Sequence, residues 1–145
     1  MSTNADRGAI LADALRAGLA GDRDRIAALA TPDVAVWTPS IAASSLDDLL
    51  EQVGRGDGAF SDIELDVTPL DVGGDRACVE WQVRMRHTGS LSMLDGEALD
   101  PTGLDVTVHG VTVAEFRGDR ICSVRQYWDE LTVYEQLGLI GEPEA

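Results

Sequence analysis

The chain has 145 residues, 44% of them hydrophobic, and a formal net charge of −15 from 26 acidic against 11 basic side chains. That length suits a single domain, 1–145, with an ordered core over about residues 6–140, short polar tails and enough apolar content for a substantial core. The negative charge repels phosphate backbones and anionic headgroups, so no nucleic acid and no membrane surface is expected as a partner.

No apolar run approaches the ~20 residues that span a bilayer, and Met1 to Asp6 is polar without a signal-peptide core, which points to a cytoplasmic protein. Cys78 and Cys122 fall inside strand-like segments rather than at metal-ligand spacing, so they read as reduced packing residues. The Ala/Gly/Asp/Arg-rich composition accords with a bacterial source of high GC content.

From Asp6 to Ala20, Ile10, Leu11, Leu15 and Leu19 draw an apolar stripe along a helix that Gly21 ends. A shorter helix follows from Asp22 to Ala30 with Ile26 and Leu29 inward and acidic residues in its first turn, before Thr31 and Pro32 break the chain. Val34 to Trp37 is a short strand closed by Pro39. Ser45 caps a third helix, with Asp48 reaching back and Leu46, Leu49, Leu50 and Val53 on its apolar face.

After the turn from Gly54 to Gly58 the period changes from about 3.6 to 2. Ile63, Leu65 and Val67 alternate with Glu64, Asp66 and Thr68. The next strand puts Ala77, Val79, Trp81, Val83, Met85 and His87 on one face and Glu80, Gln82, Arg84 and Arg86 on the other, with Gly73-Gly74-Asp75 as its turn. A strand over Asp105 to Phe116 and one over Arg120 to Asp129, joined by Arg117-Gly118-Asp119, are apolar on two faces and read as central strands. Thr88 to Gly103 between them has no clear period and reads as a loop able to cover a pocket mouth. A short helix from Glu130 to Leu137, stopped by Gly138, closes the domain. Helices first and an antiparallel meander after them make an α+β fold in which the sheet curls around the helices.

Several stretches resemble the SnoaL-like branch of the nuclear-transport-factor-two-like superfamily. They are Pro101-Thr102-Gly103, Gly110-Val111-Thr112-Val113, the hairpin Arg117-Gly118-Asp119-Arg120-Ile121, Tyr127-Trp128-Asp129, and Tyr134-Glu135-Gln136-Leu137-Gly138. Gly21-Asp22 and Pro32-Asp33-Val34 resemble that family's passage from helix to first strand. The resemblance implies a cone-shaped curved antiparallel sheet around the N-terminal helices, with a single pocket for a small hydrophobic molecule. The superfamily includes polyketide cyclases, ketosteroid isomerases, dehydratases and small epoxide hydrolases, and also many non-catalytic binders. Its members are commonly dimeric through the outer sheet face, where Glu80, Gln82, Arg84 and Arg86 offer mixed charge to pair across a two-fold axis, so a homodimer is expected.

Asp129 stands where the resemblance implies an acid–base carboxylate, and burial in an apolar cavity would raise its pKa toward neutrality. The competing reading is a helix cap accepting a bond from the N–H of Leu131 or Thr132. His109, one strand away, is the expected proton-transfer partner, and His87 a ligand-contacting histidine or one that only bonds a loop carbonyl.

Trp37, Trp81, Met85, Tyr127 and Trp128 offer stacking and adaptable apolar contact, although alternation sets Trp128 on the face opposite Tyr127 and Asp129, and at least two of the five read better as ordinary core. Arg125 shares the parity of Tyr127 and Asp129 and would neutralise Asp129 or polarise an oxygen. The epoxide-hydrolase branch sets an Arg beside two carboxylates, of which one is evident here. With no nucleophile elbow, phosphate loop, dinucleotide fingerprint or metal spacing, the expectation is a chain with no cofactor and no metal. It would carry out cyclisation, isomerisation or dehydration of a polyketide-like or other carbonyl compound, or bind such a ligand without acting on it.

Overall fold

A computed structural model describes residues 4–53, 58–70, 72–93 and 96–140. In chain order its elements are α1 (Asn4–Ala20), α2 (Arg23–Leu29), β1 (Ala30–Trp37), β2 (Ala42–Ala43), α3 (Leu46–Gln52), β3 (Phe60–Leu70), β4 (Arg76–His87), β5 (Leu91–Ser92), β6 (Ala98–Leu99), β7 (Asp105–Arg117), β8 (Arg120–Trp128) and α4 (Leu131–Gln136). The main sheet runs β2-β1-β8-β7-β4-β3, and β5 and β6 pair separately. All its neighbours are antiparallel except β1 and β8, which run parallel. The result is the expected mixed α+β architecture, a curved, largely antiparallel sheet with the N-terminal helices against its concave face.

Local chemistry sets the helix starts. Asp22 accepts the Arg25 N–H at 3.1 Å as the N-cap of α2. Ser45 Oγ accepts the Asp48 N–H at 3.1 Å, while Asp48 reaches back to the Ser44 N–H at 3.2 Å. Gly138, with φ at +77°, closes the last turn, a conformation that costs a glycine little. None of the helices among the described residues is long and apolar enough to cross a membrane.

Three expectations change. Thr31 and Pro32 lie inside β1 instead of interrupting the chain. The β1–β8 register shifts between Ala30 and Ala35, and a proline at such an irregularity forfeits no ladder hydrogen bond. The segment 88–103 is more than a loop, since it carries the β5–β6 pair, and backbone bonds from His87 N to Leu104 O and from Gly103 N to His87 O close its neck. Strands β7 and β8 are buried on one face only: Val106, Val108, Thr112, Ala114 and Phe116 are buried, while His109, Arg125 and Tyr127 are exposed. The turn at Gly54 to Gly58 falls mostly outside the described residues.

Leu11 of α1 is buried against Val79, Trp81 and Val83 of β4 and Val106 and Val108 of β7 in one contiguous core. This core does not fill the cone, and the space left over forms the site.

Candidate ligand-binding cavity

Between α1, α2, α3 and the concave sheet lies a cavity of about 480 Å³. Leu11, Ala14, Leu15 and Leu19 bring the apolar stripe of α1 to it, and Leu19, 44% exposed, marks where it reaches the surface. The sheet supplies Val83, Met85, Val108, Val124 and the indoles of Trp81 and Trp128, whose ring centroids meet edge to face at 6.0 Å.

Polar side chains on the wall are uncharged. Thr38 Oγ1 accepts the N–H groups of Ser40 and Ile41, and the Gln52 amide donates to Ala42 O at 2.9 Å. Gln126 sits 2.9 Å from Thr112 Oγ1. Among the described residues, the lining contains no Asp, Glu, His, Lys, Arg, Cys or Tyr. Nor do the described residues contain a group of three or more His, Cys, Asp and Glu side chains placed to hold a metal ion.

The expected aromatic lining divides in two. Trp81 is buried and lines the cavity with Met85. Trp37 and Tyr127 instead pack on each other at 5.4 Å on the convex face, 48% and 47% exposed. Their placement follows from alternation: Val36, Val124, Gln126 and Trp128 point inward, so Trp37, Arg125 and Tyr127 point outward.

The same parity moves the expected proton-transfer pair away from the cavity. His109 faces outward opposite Gln82, because its neighbours Val108 and Gly110 belong to the inner row. Asp129 is exposed just past β8 and its Oδ1 accepts the Leu131 N–H at 2.9 Å, the geometry of the capping reading. His87 is fully buried but does not line the cavity. Its Nδ1 accepts the Thr102 N–H at 3.2 Å and lies 2.9 Å from Thr102 Oγ1, so it ties down the neck of the 88–103 segment.

Ion pairs line the outer face of β4. Arg84 pairs with Glu64 at 2.8 Å, Arg86 with Asp105 at 3.0 Å and Arg76 with Glu115 at 3.5 Å, each across directly registered strands. The outer-face arginines of β4 are therefore engaged in ion pairs within the chain. Asp105 holds the Arg86 guanidinium above its ordinary pKa through their hydrogen bond and charge. Burial pushes the Cys78 thiol up, aided by Glu80, and both cysteines are free.

The residue that sequence reading passed over is Gln126. Its signal was present in β8: the row Arg125, Tyr127, Asp129 contains two charges and is the natural wet row, whereas Val124, Gln126, Trp128 contains none. Gly110 was a second signal. A Cβ there would lie 2.1 Å from Trp81 Cζ2, so the bare glycine is the seat on which the indole lies.

Residues 10–137 match the family model of the SnoaL-like polyketide cyclases. No curated protein sequence matches the chain. Among solved structures, a candidate polyketide cyclase from Acidithiobacillus ferrooxidans is similar with a TM-score of 0.78 and 24% identity, over 97% of this chain and 100% of that one. AclR, a candidate hydroxylase from Streptomyces galilaeus, has a TM-score of 0.75 and 23% identity over 96% and 100% of the two chains. An epoxide hydrolase of the LEH-like type from M. tuberculosis gives 0.64 and 16% over 92% and 88%. At these identities the neighbours establish the shared fold, and their differing activities leave this chain's chemistry to its own residues.

Proposed function

Taking as given that this chain belongs to the SnoaL-like polyketide cyclases, we propose that its cone binds one neutral, largely apolar small molecule, held by shape and a few amide and hydroxyl contacts. The observation that carries this reading is the open cavity of about 480 Å³ whose described wall is apolar or uncharged. A charged ligand would leave its ion unpaired in such a wall at considerable cost, so neutrality is part of the proposal. Asp129 and His109 lie outside it, and proton transfer by that pair is not part of the reading.

A second reading is favoured by the family match: cofactor-independent cyclisation, isomerisation or dehydration of a polyketide-like or other carbonyl metabolite. In that case the wall acts by folding the substrate into a reactive conformation, an orientation effect that needs no titratable group on the chain. Water activation for epoxide opening would call for a carboxylate that the described wall lacks, so that activity is not proposed.

The protein also forms a homodimer in this proposal, through the convex face where the Trp37–Tyr127 pair stands exposed. Sedimentation should give a dimer that Tyr127→Asp converts to monomer; a monomeric wild type at micromolar concentration contradicts it.

The binding reading is tested by calorimetric titration with tetralin, an uncharged bicyclic hydrocarbon. One molecule should bind per chain, and Ala14→Phe, which projects a ring from α1 into the cavity, should abolish binding while the fold persists by circular dichroism. No uptake by the wild type, or uptake unaffected by the added ring, would overturn it.

A further inference from the structure

We propose that Gln126 presents an amide N–H into the cavity, so that the ligand the cone selects carries a carbonyl oxygen to receive it. This rests on the neutral-pocket reading above and adds the functional group that the pocket recognises.

The starting point is Thr112, fully buried on the inner row of β7. Its Oγ1 lies 2.9 Å from Trp81 Nε1 on one side and 2.9 Å from the Gln126 side-chain amide on the other. An indole N–H can only donate, so Thr112 must accept from Trp81. As placed, the amide also turns its nitrogen to Thr112. That hydroxyl then accepts twice, and its own proton has no acceptor among the described residues.

The two ends of a glutamine amide are told apart only by the network around them. Turning the amide over pairs both the Thr112 proton and the Gln126 oxygen: Trp81 Nε1–H donates to Thr112 Oγ1, and the Thr112 hydroxyl donates to Gln126 Oε1. The whole NH₂ group of Gln126 is then left for the cavity. This arrangement leaves the fully buried Thr112 hydroxyl with both a donor and an acceptor, as buried polar groups strongly favour.

Two features make this NH₂ a ligand contact rather than a stray polar group. Gln126 lies between Val124 and Trp128 on the cavity wall, and its second end has no hydrogen bond among the described residues. The relay is also polarised in one direction. Each donor is strengthened by the bond it accepts upstream, so the last N–H is a better donor than an isolated amide. Gly110 secures the head of the relay, since only a residue without Cβ lets the Trp81 indole lie across β7 toward Thr112. Of the other wall amides, Gln52 donates its NH₂ to the backbone oxygen of Ala42.

A donor in an apolar wall is unfavourable until something accepts from it, so it discriminates between ligands of equal shape. A ketone satisfies it, and the matching hydrocarbon leaves it bare.

The test uses tetralone and tetralin, a ketone and hydrocarbon of nearly equal size, with the full chain and the variants Gln126→Met, Thr112→Val and Thr112→Ser. Gln126→Met should weaken tetralone by about tenfold or more and leave tetralin unchanged or tighter. Thr112→Val should reproduce part of that loss, and Thr112→Ser, which keeps the relay, should not. The infrared carbonyl stretch of tetralone bound to the wild type should be red-shifted from its value in hexane, and Gln126→Met should return it. That spectrum is read on the wild type, so the inference stays testable if a variant misfolds.

Binding of both probes with no carbonyl shift, or equal losses for both in Gln126→Met, would overturn the donor role while leaving the pocket reading intact. Failure of both probes to bind would overturn the pocket reading and the donor role together.

Discussion

The two faces of the same strands make the most instructive contrast in this molecule. On the concave side of β7 and β8, Val108, Gly110, Thr112, Val124, Gln126 and Trp128 form a wall without charge. On the convex side, one residue out of step, stand His109, Val111, Arg125 and Tyr127, with the Arg84–Glu64 and Arg86–Asp105 pairs beside them. The two rows differ in charge and also in size, since several inner residues are small. Gly110, Thr112 and Ala114 leave room for the indoles of Trp81 and Trp128, so the inner face builds a cavity from bulky side chains seated on slight ones. On the outer face the aromatic pair of Trp37 and Tyr127 stays exposed.

The sharpest way to break the inner face is at the seat of Trp81. Gly110→Ala drives a Cβ into the indole and should destabilise the fold by about 1–3 kcal/mol, the usual range for overpacking. In a Trp81→Leu background the same substitution should cost much less, a coupling that chemical denaturation of the four-member cycle measures. Equal costs in both backgrounds would mean that the glycine serves some other need.

Substitutions on the opposite row sharpen the contrast by what they leave untouched. Asp129→Ala removes the side-chain acceptor for the Leu131 N–H and should cost about 1 kcal/mol in thermal unfolding, whereas Asp129→Asn should change it little. Neither should alter tetralin binding. A loss of binding in the Asn variant would bring the carboxylate back into the site.

The smallest effect belongs to the surface pair of Asp33 and Arg117, at 3.0 Å. The hydrogen bond from Arg117 holds the Asp33 carboxyl below its ordinary range. A carboxylate whose folded pKa is depressed adds stability above its unfolded pKa and loses it as pH falls through the folded one, here below about pH 4. Asp33→Asn should therefore lower the melting temperature slightly at neutral pH and not at all in strong acid. Both side chains are well exposed, so the difference is expected to be near the limit of measurement.

Most of the architecture was legible in the sequence because period and capping are local. The stripe of α1, the Ser45 cap and the alternation of β4 each need only a few neighbours, and the β4 parity placed Trp81 and Met85 on the cavity correctly. The inner row of β8 was harder to read. Two apolar-tolerant rows alternate there, and the Asp129 of the family-like motif drew attention to the row that in fact faces water. The parallel pairing of β1 with β8 was not legible either, since it joins segments some ninety residues apart through a register shift that no local pattern encodes. The relay through Thr112 depends on three strands meeting in register, and only Gly110, an unusual residue for mid-strand, hinted at it.

The contrast between the faces can be tested in a single spectrum. The chain has three tryptophans: Trp81 and Trp128 on the cavity wall and Trp37 on the convex face. Their indole N–H signals can be followed by nuclear magnetic resonance while tetralone is added to the ¹⁵N-labelled protein. The Trp81 and Trp128 signals should shift together and saturate at one ligand per chain, with Trp37 unmoved. A shift confined to Trp37, or none at saturating ligand, would contradict a ligand pocket inside the cone.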